Sequence, residues 1–139
     1  MNTNKVLLAT LGGGVVFFLL GFLFYVVLFG SFMEANQGSA TGVMKENPMF
    51  IGIIVANLVT AFLLAYIYNR WAGISTFMTG ATAGAIIVGL MTISFDLMMY
   101  STTNISNLNA MILDIVIMVL IGAITGGVVG WILGYERKS

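Results

Sequence analysis

The chain contains no cysteine and no histidine, a single proline at position 48, and few charges. Without cysteine there is no disulfide, no thiol nucleophile and no thiolate metal site. Without histidine, a metal site or proton relay would have to be built from carboxylates, carbonyls and hydroxyls. Only 7% of residues are charged and 60% are apolar, against about 25% charged in ordinary soluble domains. So little charge could not cover a surface exposed to water, so the composition predicts an integral membrane protein. Five basic and five acidic residues cancel, and no cluster of Lys and Arg offers the footprint that nucleic acid needs.

What the chain has instead is long apolar runs and glycine. A crossing helix needs about 20 apolar residues. Four stretches meet that length, over residues 6–30, 49–68, 75–100 and 110–134. The first is too long for the apolar core of a cleaved signal peptide, about 7–15 residues, and reads as a retained span. Residues 31–48 are rich in Gly, Ser, Asn and Gln and read as a loop, closed by Asn47 as a cap and Pro48 in the first turn of the second span. Ser75 is a candidate cap for the third span. The expected fold is all-α: one membrane domain over 1–139, a four-helix bundle running up-down-up-down.

An even number of spans puts both termini on one side. Lys5, Arg70, Arg137 and Lys138 fall on that side, and Lys45 alone on the other. The positive-inside rule then predicts a multi-pass protein of the cell membrane with cytoplasmic N- and C-termini. The bilayer is the first expected partner, and a homo-oligomer or larger membrane complex the second.

Glycine spacing predicts the packing. Gly122, Gly126, Gly130 and Gly134 recur every fourth residue in span four, and Gly80 and Gly84 repeat the spacing in span three. Residues four apart share a helix face. In lipid such small faces mark close helix contacts, so a glycine zipper is expected, within the chain or between copies. On span one, Gly14, Phe18, Gly21, Tyr25 and Leu28 make a further seam. On span three, Thr82, Ala85, Gly89, Thr92 and Asp96 make a stripe of small and polar side chains. A pore would turn that stripe to water; a packing module would bury it.

Two acids lie inside predicted spans. Asp96 falls near the end of span three and Asp114 near the start of span four, which an antiparallel hairpin brings to similar depth. Asn57 and Tyr25 are expected at that level too, giving one polar layer of four groups. A carboxylate costs about 2.5–3.5 kcal/mol at the centre of a membrane helix, less towards its ends. No basic residue stands within a span to offset it. The acids must carry protons, accept hydrogen bonds from Tyr25 or Asn57, or hold a cation. Capping or hairpin fastening is the structural alternative.

Gly21-Phe-Leu-Phe-Tyr25 with Phe29-Gly30, Asn47-Pro48, Ala56-Asn57, Gly80-x-x-x-Gly84, Phe95-Asp96-Leu97 with Tyr100, and Leu113-Asp114 together resemble small bacterial four-helix membrane proteins classed as domains of unknown function. The resemblance implies the four-helix fold and no particular activity. The residues point to a non-enzymatic packing or assembly subunit, or a partner-binding module, without cofactor or metal. The competing reading is a small oligomeric transporter or channel coupled to protons or cations through Asp96 and Asp114. An enzyme ranks third, because no nucleophile or metal set accompanies the two acids.

Overall fold

The computed structural model describes residues 2–135. Among them the chain is all-helical: α1 (Thr3–Phe22), α2 (Gly30–Ala35), α3 (Phe50–Ile67), α4 (Phe77–Thr102) and α5 (Leu108–Tyr135). The helix of α1 continues as a wider π-helical turn over Leu23–Leu28, and that of α3 as another over Tyr68–Ala72. With these extensions four helices, Thr3–Leu28, Phe50–Ala72, Phe77–Thr102 and Leu108–Tyr135, are long and apolar enough to cross a membrane. No strand occurs among the described residues; one isolated antiparallel bridge pairs Gln37 with Ser106.

The helix starts differ from expectation by one to three residues. Asn2 caps α1, its side chain accepting from Lys5 N at 3.2 Å. At α3 the expected cap fails: the helix begins at Phe50 behind Met49, with no side-chain cap, so Asn47 and Pro48 belong to the connection. Thr76 rather than Ser75 caps α4, accepting from Thr79 N at 3.2 Å. Asn107 Oδ1 accepts from Ala110 N at 2.9 Å at the start of α5. The stretch read as a plain loop over 31–48 also contains most of α2. Its remainder is pinned to the α4–α5 connection, Gly38 N donating to Ile105 O and Ala40 N to Asn104 O, each at 2.9 Å.

α5 is the central helix. It packs along α4 on one side and along α1 on another; α1 packs on α3 in turn. Contact between α3 and α4 is marginal beyond the turn that joins them. The order around the bundle is therefore α3–α1–α5–α4, with the fourth side open. A continuous core of Val6, Ala9, Leu64, Ala65, Tyr68, Val88, Val129 and Leu133 lies towards the amino-terminal end. Lys5, the turn around Asn69 and Gly73, and Leu133 share that end, while Ser39 and the Asn104–Asn107 segment share the other. Tyr66 stacks edge-on against Trp71, and Trp131 against Tyr135, both with ring centroids 5.4 Å apart. Such amphipathic rings suit the boundary between lipid and water.

The α4–α5 contact is backbone on backbone. A Cβ on Gly126 would strike the Gly80 carbonyl oxygen and come within 2.8 Å of Gly84 Cα. One on Gly122 would meet Val88 Cβ at 2.6 Å, and one on Gly130 would strike Thr76 O. Gly134 faces Ser75 O in the same way. The glycines of α4 and α5 thus face one another within one chain. The α1 seam is different. Gly14 lies against Leu58, but Gly21 faces open space; Gly13, off that seam, is as tight as Gly14, with Val129 Cγ2 at 2.6 Å from its would-be Cβ.

Candidate functional site

Three of the four expected polar residues meet. Asp114 stands two turns into α5, and the antiparallel α4 brings Asp96 to the same cavity wall. From α1, the π-helical turn carries Tyr25 across, and its hydroxyl donates to Asp114 Oδ1 at 2.5 Å. The cluster therefore joins α1, α4 and α5 through side chains that are each only partly exposed. Asp96 Oδ2 is buried and receives no hydrogen bond.

Asn57 does not join them. It lies in the groove between α1 and α3 with Gly14, Val15, Phe18 and Leu19. The reason is register. Gly14 seats Leu58 and Gly13 seats Ala61, which sets Asn57 level with Gly14–Phe18. Tyr25 is a further seven residues along, about 10 Å at 1.5 Å per residue. The expected layer of four is a cluster of three.

The open side between α3 and α4 leads to this cluster. A cavity of about 340 Å³ there is lined by Phe17, Thr60, Leu63, Leu64, Ile87, Val88, Met91, Thr92, Phe95, Asp96, Asp114 and Met118. Its wall is apolar except at the end holding the two acids and at Thr60 and Thr92. The Thr60 hydroxyl is already spent on Ala56 O at 3.1 Å. The polar stripe of α4 divides accordingly: Gly89 is packed against Val119, Thr92 and Asp96 line the cavity, and Thr82 is exposed.

Below the cluster the interior closes with Leu64, Val88, Ile117 and Ile121, all buried. Two polar residues lie deeper still. Thr125 is fully buried and its hydroxyl has no partner. Tyr68, also fully buried, donates its hydroxyl to Gly80 O at 2.6 Å. On the sequence it stands only as the last residue of the second expected span. The signal that would have found it is the glycine pair opposite: Gly126 leaves the room that the Tyr68 hydroxyl fills, 2.6 Å from where a Cβ would stand.

Comparison of the chain with protein-family models, curated proteins and solved structures finds no match.

Proposed function

We propose that the chain is a non-catalytic binding or assembly module of the cell membrane, and that its working face is the open side between α3 and α4. The observation that carries this is the cavity on that side, apolar along its length and ending at two carboxyls. Helices in a bilayer satisfy their polar groups internally or against a partner. Here Tyr25 serves Asp114, while Asp96, which also lines the cavity's polar end, keeps a buried Oδ2 without a hydrogen bond.

In this reading the four spans alternate in direction, both termini are cytoplasmic, and the facing glycines are a zipper that holds α4 to α5. Lys5 and the α3–α4 turn that includes Arg70 sit at one end of the bundle, which is the arrangement the positive-inside rule asks for. The alternative, proton or cation transport through Asp96 and Asp114, draws on the same cluster. It gains less support, because buried aliphatic side chains, Leu64, Val88, Ile117 and Ile121, stand between the acids and the deeper Thr125 hydroxyl.

The test is purification from native membranes in mild detergent, comparing the wild type with Thr60→Trp, which fills the cavity. A bound component that accompanies the wild type in fixed proportion and is lost from Thr60→Trp is the expected result. Identical, partner-free preparations of both would overturn the reading.

A further inference from the structure

We propose that the α3–α4 cleft binds an amphipathic organic monocation, a protonated amine whose head donates to the Asp96–Asp114 pair while its apolar body lies between α3 and α4. The inference deepens the reading of the cleft as a binding face by naming what it holds. Three features on the cleft wall converge on this class of ligand.

The first is charge. Asp96 and Asp114 both line one end of the cavity, and no Lys or Arg stands on any of the four spans near them. Tyr25 is the neighbour that donates to the pair, and it is neutral as a donor. Among the described residues no three His, Cys, Asp or Glu side chains gather in a way that would hold a metal ion.

The second is the free acceptor. Asp96 Oδ2 is buried without a hydrogen bond at the acidic end of the cavity. A buried acceptor left unpaired is costly, and an ammonium supplies both the missing donor and the charge. Thr92, one turn away on α4 and 9% exposed, also borders the cavity.

The third is shape. The volume, about 340 Å³, falls in the range of small-molecule sites, about 300–1,000 Å³, and is too small to admit a whole helix. Leu63, Leu64, Ile87, Val88 and Met91 supply an apolar wall, which Phe17 and Phe95 extend. The lateral opening between α3 and α4 gives such a molecule entry from the lipid rather than from water.

The experiment uses the purified full chain in nanodiscs, titrated with decylamine and, as controls of equal tail length, decanol and decanoate. Binding is read by native mass spectrometry. The expected result is saturable binding of one decylamine per chain, at least tenfold tighter than decanol, with no bound decanoate. Asp96→Asn should weaken decylamine at least tenfold and leave decanol unchanged. Thr60→Trp, with both acids intact, should abolish binding of both; far-UV circular dichroism identifies any variant that has not folded. Equal binding of decylamine and decanol, or an amine affinity unmoved by Asp96→Asn in a folded protein, would overturn the cation claim. If no probe binds while a membrane protein accompanies the wild type and is lost from Thr60→Trp, this inference fails and the binding-module reading stands.

Discussion

Tyr25 and Asp114, 89 residues apart in sequence, are joined by a hydrogen bond of 2.5 Å that ties α1 to α5 at one end of the bundle. Among the described residues no other side-chain hydrogen bond joins those two helices, so Tyr25 and Asp114 should act as a unit. Tyr25→Phe and Asp114→Ala are each expected to destabilise the protein. Hydrogen bonds to charged groups contribute about 1.5–3 kcal/mol in water-soluble proteins, and interhelical bonds in membranes nearer 0.6 kcal/mol. The double variant should therefore lose less than the sum of the singles, by about 1 kcal/mol. Thermal unfolding in detergent of the four proteins measures this; strict additivity would mean the two residues do not interact.

Tyr68 makes the second long-range tie. It is fully buried, and its hydroxyl bonds Gly80 O at 2.6 Å. Tyr68→Phe keeps the ring and removes the bond, for an expected loss of about 1 kcal/mol. Tyr66→Phe, at a half-buried ring without a hydrogen bond from its hydroxyl, should change stability by less than about 0.5 kcal/mol. Comparable melting temperatures for the two variants would contradict the assignment.

The glycines divide into those that are needed for contact and those that are not. At Gly126 a methyl group would meet backbone on both Gly80 and Gly84, and backbone cannot step aside as a flexible side chain can. Gly126→Ala should force α4 from α5 and cost several kcal/mol, at the large end of single substitutions, about 4 kcal/mol; Gly126→Leu should prevent folding. Gly21 lies in α1 with nothing within 4 Å of its would-be Cβ. Gly21→Ala should be neutral or stabilising by up to about 1 kcal/mol, the difference in helix propensity. Thermal stability of the two alanine variants decides the matter.

Much of this architecture was legible in the sequence because its causes are local. Hydropathy over about 20 residues marks a span wherever it packs, and i, i+4 glycines mark a face whatever meets it. Asp96 and Asp114 were legible as neighbours because a short connection between antiparallel helices sets their depths. Asn57 was misplaced because α1 and α3 are joined by a long connection, and their register is set by Leu58 on Gly14 and Ala61 on Gly13, which span lengths do not encode. Tyr68 was missed because a tyrosine at a span end has the same pattern whether it faces the interface or turns inward. The open side was not legible at all. Which pair of helices fails to touch depends on the packing of all four.

The absence of native cysteine makes orientation simple to test. Single cysteines at Asn4 and Ser39 stand at opposite ends of the bundle. With cytoplasmic termini, an impermeant maleimide should label Ser39→Cys in intact cells and Asn4→Cys only after lysis. The reverse pattern would invert the topology, and labelling of both in intact cells would remove the even number of crossings.

The claim that the α3–α4 side is occupied in the cell is tested most directly by a photo-crosslinking amino acid at Met91. This residue borders the cavity and is 54% exposed; Leu11, 58% exposed, lies outside it on α1. After irradiation of living cells, the account predicts a discrete adduct by intact mass at position 91, absent at position 11 and lost when Thr60→Trp is introduced. The same bulk-lipid adducts at both positions, unchanged by Thr60→Trp, would contradict it.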